Sequence, residues 1–326
     1  MSGVLLPSAR PVVTIGVDIG GTKIAAAVVE SAGHGVQLPV DVRRAATPAG
    51  ATAILQVCAD LVDALRAGYD IAAIGVGAPG IIDTVTGTVD AASEVVPGWA
   101  GARIAATLQH SSGLPVRVEN DVRAFARAEL QLGAGRGFER CLYVAFGTGV
   151  GGALVLDGVL LDSPHSTVGE VAHLGVSVPG SRACGCGRSG HLEAVACGPA
   201  MAAEYRRRTG AEPTATAEDL GRAAAAGDSA ARGVIADAAR IAGEALAGVV
   251  SALDLEAIVV GGGAAEVHPD FVPMLGETVN GARWPRGSAV AVLRGQFGSS
   301  APILGAALLG ATAVAGSPVA STSGSR

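Results

Sequence analysis

Residues 12–30 read VVTIGVDIGGTKIAAAVVE, and residues 141–156 read CLYVAFGTGVGGALVL. Each is an apolar run of strand length, a glycine turn, and a second apolar run. One strand–turn–strand unit therefore opens both halves of the chain. Such an echo predicts a duplicated domain with a cleft between the copies. Apolar–glycine–apolar patterns also recur in unrelated α/β proteins, so the echo needs support from the rest of the chain.

Working outward, short buried strands are expected at 12–17, 71–76, 116–118, 141–146 and 257–260. Between them lie helical patterns. Residues 53–67 place Ile54, Cys58, Leu61, Val62 and Leu65 on one face, with Gly68 as the stop, and 228–253 is a long alanine-rich helix. Alternating strands and helices define an α/β fold. The 326 residues are 49% hydrophobic and only 16% charged, enough to bury a large core and too apolar for disorder. The net charge of −6 argues against binding a phosphate backbone, so no nucleic-acid partner is expected. The start lacks the charged-then-apolar pattern of a signal peptide. The uncharged stretch 301–315 is short for a bilayer span and dotted with glycine, and reads as a packed terminal helix. Residues 1–10 and 317–326 read as disordered ends. Five cysteines, two of them in Cys184-Gly-Cys186, suit a reducing cytoplasm and a metal site better than a disulfide framework.

Two segments match the dinucleotide pattern G-x-G-x-x-G: Gly75, Gly77, Gly80 and Gly147, Gly149, Gly152. A dinucleotide loop must open a helix whose N-terminus meets the pyrophosphate. Here both are followed by hairpin sequence, the second with an Asp157-Gly158 turn. NAD binding is therefore rejected. GTK at 21–23 also lacks the upstream glycine of a Walker loop. Glycine turns can still cradle phosphates through bare N–H groups, and Thr22 or Thr148 would add a hydroxyl donor. Two such turns facing each other would clamp a polyphosphate. Asp18 would hold Mg²⁺ through water, or serve simply as a turn residue. Asn120 and Asp121 follow a strand and open a helix; they either cap it or place an ionised carboxylate at its positive end.

These pieces, taken in order, resemble the ROK family (repressors, open reading frames and sugar kinases): DIGGTK (18–23), GAPG (77–80), PGW (97–99), ENDV (119–122), GTGVGG (147–152), GEVAH (169–173), CGCG (184–187) with GHLE (190–193), and VGGG (260–263). The resemblance spans roughly residues 12 to 315. It implies an α/β, two-lobed, actin-like (ribonuclease H-like) ATPase fold with a duplicated core. The small lobe would comprise 11–118 plus 301–316, and the large lobe 119–300. It also implies ATP-dependent phosphorylation of a hexose or N-acyl hexosamine, usually at the 6-hydroxyl, by a cytoplasmic homodimer or homotetramer with no membrane partner.

Carried over residue by residue, the resemblance makes Asp121 the general base that takes the hydroxyl proton. Asn120, Glu170, His173 and Glu193 surround the sugar, as acceptors suited to a polyol. Asp18, Gly20, Gly21, Thr22, Lys23, Thr148 and Gly149 attend ATP and its Mg²⁺, while Gly261 and Gly262 lie near the purine or ribose. His173, Cys184, Cys186 and His191 form H-x10-C-x-C-x4-H, the donor set of a closed, structural Zn²⁺ site. The family usually has Cys where this chain has His191; Cys197 is the fallback ligand. Cys58 and Cys141 read as core residues. Further departures fall on the sugar side: Glu94 where Asn is usual, SPHSTV at 163–168, and Ala172 for Gly. His165 in that segment reads as a loop residue. The rival reading is a non-catalytic sugar sensor or a ROK transcription repressor. A repressor would carry a helix-turn-helix region ahead of Asp18, which stands close to the start of this sequence.

Overall fold

The computed structural model describes residues 11–32, 35–36, 38–92, 96, 98–162, 166–178, 180, 182–284 and 287–314. The expected disordered ends, Glu94, Pro97 and residues 163–165 lie outside the described residues. The chain forms two compact units, with one division between Ala124 and Phe125 and another between Ala301 and Pro302.

The first unit begins with β1 (Val12–Ile19), β2 (Lys23–Ala32), β3 (Gly35–Val36), β4 (Val40–Ala46) and α1 (Ala51–Arg66). It continues through β5 (Ala73–Ala78), β6 (Ile81–Asp83), β7 (Thr88–Ala91), α2 (Ile104–Ser112), β8 (Val116–Asn120) and the start of α3 (Asp121–Gln131). Its main sheet runs β3-β2-β1-β5-β8, with β4 also on β2, and β6 and β7 form the hairpin expected after Gly80. β1 pairs antiparallel with β2 but parallel with β5, and β5 parallel with β8. The wholly buried β5 fits a central parallel strand.

The second unit holds β9 (Cys141–Phe146), β10 (Val150–Leu156), β11 (Val159–Leu160), α4 (Glu193–Ala196), α5 (Gly198–Thr209), α6 (Ala217–Ala225) and α7 (Ser229–Leu253). β12 (Ala257–Gly261), α8 (Gly263–Glu266), α9 (Phe271–Ala282) and β13 (Ala291–Arg294) follow. Its sheet order is β11-β10-β9-β12-β13. Here too the opening strand pairs antiparallel with its hairpin mate and parallel with the next central strand, which pairs parallel with the last. Five strands thus repeat the order and direction of the first sheet, and the sequence echo is the visible part of a duplicated core.

The core of each unit follows the sequence pattern. α1 buries Ile54, Leu55, Cys58, Ala59, Val62 and Leu65, and α7 buries a stripe from Ala231 to Val250. Asp228 caps α7, its carboxylate accepting the N–H groups of Ala230 and Ala231. The terminal helix α10 (Ala301–Thr312) returns to the first sheet. A Cβ on Gly16 would stand 2.0 Å from the Ile303 carbonyl, and one on Gly75 would stand 1.7 Å from that of Ala306. Only glycine permits that approach. Among the described residues no helix is long and apolar enough to cross a membrane.

Candidate active site

Strand register assembles the acidic half of the site. Asp18 on β1 pairs with Gly77 on β5, and Gly77 pairs with Glu119 on β8. These are the carboxyl ends of parallel strands, where α/β folds expose ligand-binding groups. β8 extends through Asn120, beyond the three residues expected, so Asn120 and Asp121 stay with the first unit rather than opening the second. Asp121 is the first residue of α3. Gly77 has no side chain to keep it away: a Cβ there would lie 3.4 Å from the Asp121 Cα.

Asn120 caps α3. Its Oδ1 accepts the N–H of Val122 at 2.9 Å and of Arg123 at 3.3 Å, while its amide donates to the Gly80 carbonyl at 3.1 Å. The cap and the catalytic reading are therefore compatible, since the cap orients the carboxylate next to it. Asp121 Oδ1 accepts from Val122 N at 2.9 Å. Burial holds the Asp121 carboxyl above the usual carboxylate range, against the lowering effect of these hydrogen bonds. Burial pushes Asp18 up to about 7; the Asp121 charge adds to that rise and Lys23 opposes it. Two interacting carboxyl groups titrate as a pair and ionise together only when a cation or donor compensates.

The first glycine turn is closed by Gly20 N–H donating to the Lys23 carbonyl at 3.0 Å. Gly21, Thr22 and Lys23 are exposed. Thr47 anchors the turn, its hydroxyl donating to the Gly20 carbonyl at 2.6 Å and its N–H to Thr22 O at 3.1 Å. Nothing in the sequence marked Thr47, because its partner is distant in the chain. Trp99 was recognised only as part of PGW; its indole donates to the Pro79 carbonyl at 2.9 Å, on the turn that Asn120 also holds.

In the second unit the turn between β9 and β10 is closed by Gly147 N–H to Gly149 O at 2.8 Å, with Thr148 exposed. Glu193, the first residue of α4, reaches this turn. Its Oε2 accepts the Val150 N–H at 3.2 Å, and a Cβ on Gly149 would lie 2.7 Å from it. Its Oε1 lies 3.5 Å from the Cys184 thiol. Glu170 precedes a single 3-10 turn (Val171–His173) that His173 ends; both are exposed, with His173 Nε2 3.9 Å from Glu170 Oε2. Gly261 ends β12 and Gly262 follows it, ahead of α8. A side chain on the first would strike the Phe125 ring at 2.7 Å, and one on the second the Phe146 carbonyl at 2.2 Å. Internal packing is sufficient reason for both glycines.

The structure brings the four expected metal donors together. His173, Cys184, Cys186 and His191 each offer an atom within 4.8 Å of the others. Cys184 Sγ lies 3.9 Å from His173 Nδ1, and Cys186 Sγ 3.3 Å from His191 Nδ1. A hairpin-like loop holds them: Cys184 N–H donates to Arg188 O at 2.7 Å, and His191 bridges back to Gly175. A tetrahedron with metal–ligand bonds of about 2.0–2.3 Å has edges of roughly 3.3–3.8 Å, so the cluster is compatible with a metal ion. Cys197 is buried and outside this group.

Three likenesses carry the family assignment. The chain is 31% identical over 313 residues to a glucokinase of Streptomyces coelicolor, covering 90% of this chain and 96% of that protein. It is 33% identical to an N-acetylmannosamine kinase of Escherichia fergusonii, covering 91% and 97%. The crystal structure of a ROK family glucokinase from Streptomyces griseus, in complex with glucose and AMPPNP, superposes with a TM-score of 0.83 at 31% identity, covering 92% of this chain and 99% of that one. The fold is the actin-like ATPase fold. With residues 14–313 matching the family as a whole, this chain belongs to the ROK family.

Proposed function

We propose that this protein is an ATP-dependent sugar kinase that transfers the γ-phosphoryl group to a hydroxyl, the 6-hydroxyl by resemblance, of a hexose or N-acyl hexosamine. The observation that carries the reading is Asp121 at the carboxyl end of β8, capped by Asn120, with burial raising its carboxyl toward the working range of a general base. The sugar oxygen attacks the γ-phosphorus, the bond to the β-phosphate bridging oxygen breaks, ADP leaves, and Asp121 takes the hydroxyl proton. Asn120, Glu170, His173 and Glu193 are assigned to the sugar hydroxyls. The turn from Gly20 to Lys23 offers N–H, hydroxyl and ammonium donors to phosphate, and the turn at Thr148 and Gly149 offers the same kind of nest. Gly261 and Gly262 are assigned to the nucleotide's purine or ribose. Mg²⁺ bound with the nucleotide would neutralise phosphate charge; Asp18, whose carboxyl is poised to ionise beside a cation, would hold its water shell.

Zn²⁺ would be held by His173, Cys184, Cys186 and His191. All four positions are protein ligands, so it supplies no reaction chemistry and serves to fix the loop. None of the five cysteines is in a disulfide, which suits a cytoplasmic protein. A homodimer or homotetramer is the assembly we assign by family resemblance. The decisive experiment measures ADP release from ATP across a panel of hexoses and N-acyl hexosamines. Sugar-dependent release that disappears in Asp121→Asn supports the kinase reading; no release with any sugar, alongside tight sugar binding, would make the chain a sensor.

A further inference from the structure

An arginine-rich groove of about 310 Å³ lies in the second unit, between α5, α7 and the residues leading into the Cys/His loop. Its charged lining is Arg182, Arg207, Arg208 and Arg240 against Glu204 and Asp237. At its centre Glu204, only 6% exposed, is surrounded by three guanidinium groups. Its carboxylate accepts from Arg207 Nε at 2.7 Å and Nη2 at 2.8 Å, from Arg208 Nε at 2.6 Å, and from Arg182 Nη2 at 2.9 Å.

One carboxylate does not neutralise three guanidiniums. Asp237 pairs with Arg208 at 2.7 Å and Glu244 with Arg240 at 2.8 Å, and the cluster still keeps a positive excess in a protein whose net charge is −6. Each guanidinium has five N–H donors, and Glu204 takes one from Arg182, one from Arg208 and two from Arg207. Arg208 also donates from Nη2 to Asp237 and Arg240 from Nη1 to Glu244, while Arg207 and Arg240 line the groove. Arg207 and Arg240 have side chains 70% and 52% exposed, so an entering anion meets them without burying a new charge pair. Val195 and Ile241 give the groove an apolar side, suited to the body of a small organic anion.

We propose that this groove is a second anion site that takes a phosphate group, as inorganic phosphate or as a small phosphate monoester. Guanidinium groups match the several acceptor oxygens of a tetrahedral phosphate, whose negative charge answers the local excess. The volume is at the low end of ligand pockets, which fits a phosphorylated monosaccharide. The site lies behind the Cys/His loop: the Arg182 carbonyl accepts the Gly190 N–H at 3.0 Å, one residue before His191. The proposal does not depend on the kinase reading.

The test is calorimetric titration of the full chain with inorganic phosphate and, separately, glucose 6-phosphate. Wild type is compared with Arg207→Gln/Arg240→Gln, and with Arg66→Gln/Arg222→Gln, which removes the same charge from outside the groove. The groove variant should bind about tenfold or more weakly, as expected for the loss of a charge-assisted hydrogen bond, with the control unchanged. Such a difference also separates this site from phosphate binding elsewhere on the protein. A stronger effect with glucose 6-phosphate identifies a sugar phosphate as the ligand; equal effects identify phosphate alone. If thermal melting shows the double variant unfolded, Arg240→Gln, which leaves every Glu204 bond intact, should weaken binding in the same direction. Equal affinity in the groove and control variants, or no saturable binding to wild type, overturns the site.

Discussion

The Glu193 carboxylate accepts the backbone N–H of Val150 at 3.2 Å, and so ties the first residue of α4 to the glycine turn between β9 and β10. Its other oxygen lies 3.5 Å from the Cys184 thiol. One side chain therefore links the Cys/His loop to a candidate phosphate nest, besides the sugar role assigned from the family. Glu193→Ala should raise KM for ATP as well as for sugar, by about tenfold or more, since a hydrogen bond to a charged group is worth roughly 1.5–3 kcal/mol. Glu193→Gln keeps an acceptor for Val150 and should recover much of the ATP term. Steady-state kinetics varying each substrate in turn decide the matter: a change confined to sugar KM would leave the Val150 contact without influence on the turn.

Asp121 is the second test. Replacing it with Ala should lower kcat by about 10²-fold or more, the usual contribution of general-base catalysis. Sugar affinity should change far less than turnover. Because burial raises the Asp121 carboxyl, the acid limb of kcat against pH should lie above the ordinary aspartate range and vanish in the variant. Near-normal turnover in Asp121→Ala would remove it from the mechanism.

Much of this could be read before folding, and the remainder has a common physical cause. β9 falls at 141–146 as expected, because a run of apolar residues bounded by an arginine and a glycine leaves little choice of register. The place of Asp121 at a helix start and the gathering of His173, Cys184, Cys186 and His191 were readable because each sits in a short motif. Thr47, the Glu193–Val150 bond and the Glu204 cluster were not readable, since each joins side chains to partners that only the tertiary fold brings near. Pairing of Asn120 with Ala78 on β5 is likewise a register fact that local hydrophobicity does not encode.

Asp18 gives a pH prediction with a definite sign. Its carboxyl stands at about 7 in the fold against a reference of 3.8, so the folded state favours the neutral form. Its contribution to stability is full below pH 3.8 and is lost as pH rises toward 7. Asp18→Asn keeps a neutral, similarly shaped side chain at every pH. In ligand-free protein the variant should therefore be more stable than wild type above pH 7, with the gap closing as pH falls to about 4. Urea unfolding across that range measures the gap. A constant difference at all pH values would mean that the carboxyl is ionised in the fold without penalty.

The Cys/His donor set can be tested directly. If His191 completes the site, purified protein should hold about one zinc per chain, by the ligand count of a closed tetrahedral centre. Cys184→Ser should lose the metal, because a serine hydroxyl does not ionise near neutral pH as a zinc-bound thiol does. His191→Cys should retain it, since thiolate and imidazole are both good zinc ligands. Structural zinc is worth roughly 10–16 kcal/mol in small peptides, but in a unit with its own core only part of that would appear as global stability. Metal loss should instead loosen the loop from Ala183 to Glu193, and through Glu193 disturb the Val150 contact. Elemental analysis of the wild type and both variants, alongside sugar and ATP binding, reads each consequence separately. Fully active wild type with no metal, purified without chelator, would mean that loop hydrogen bonds alone hold His173, Cys184, Cys186 and His191 together.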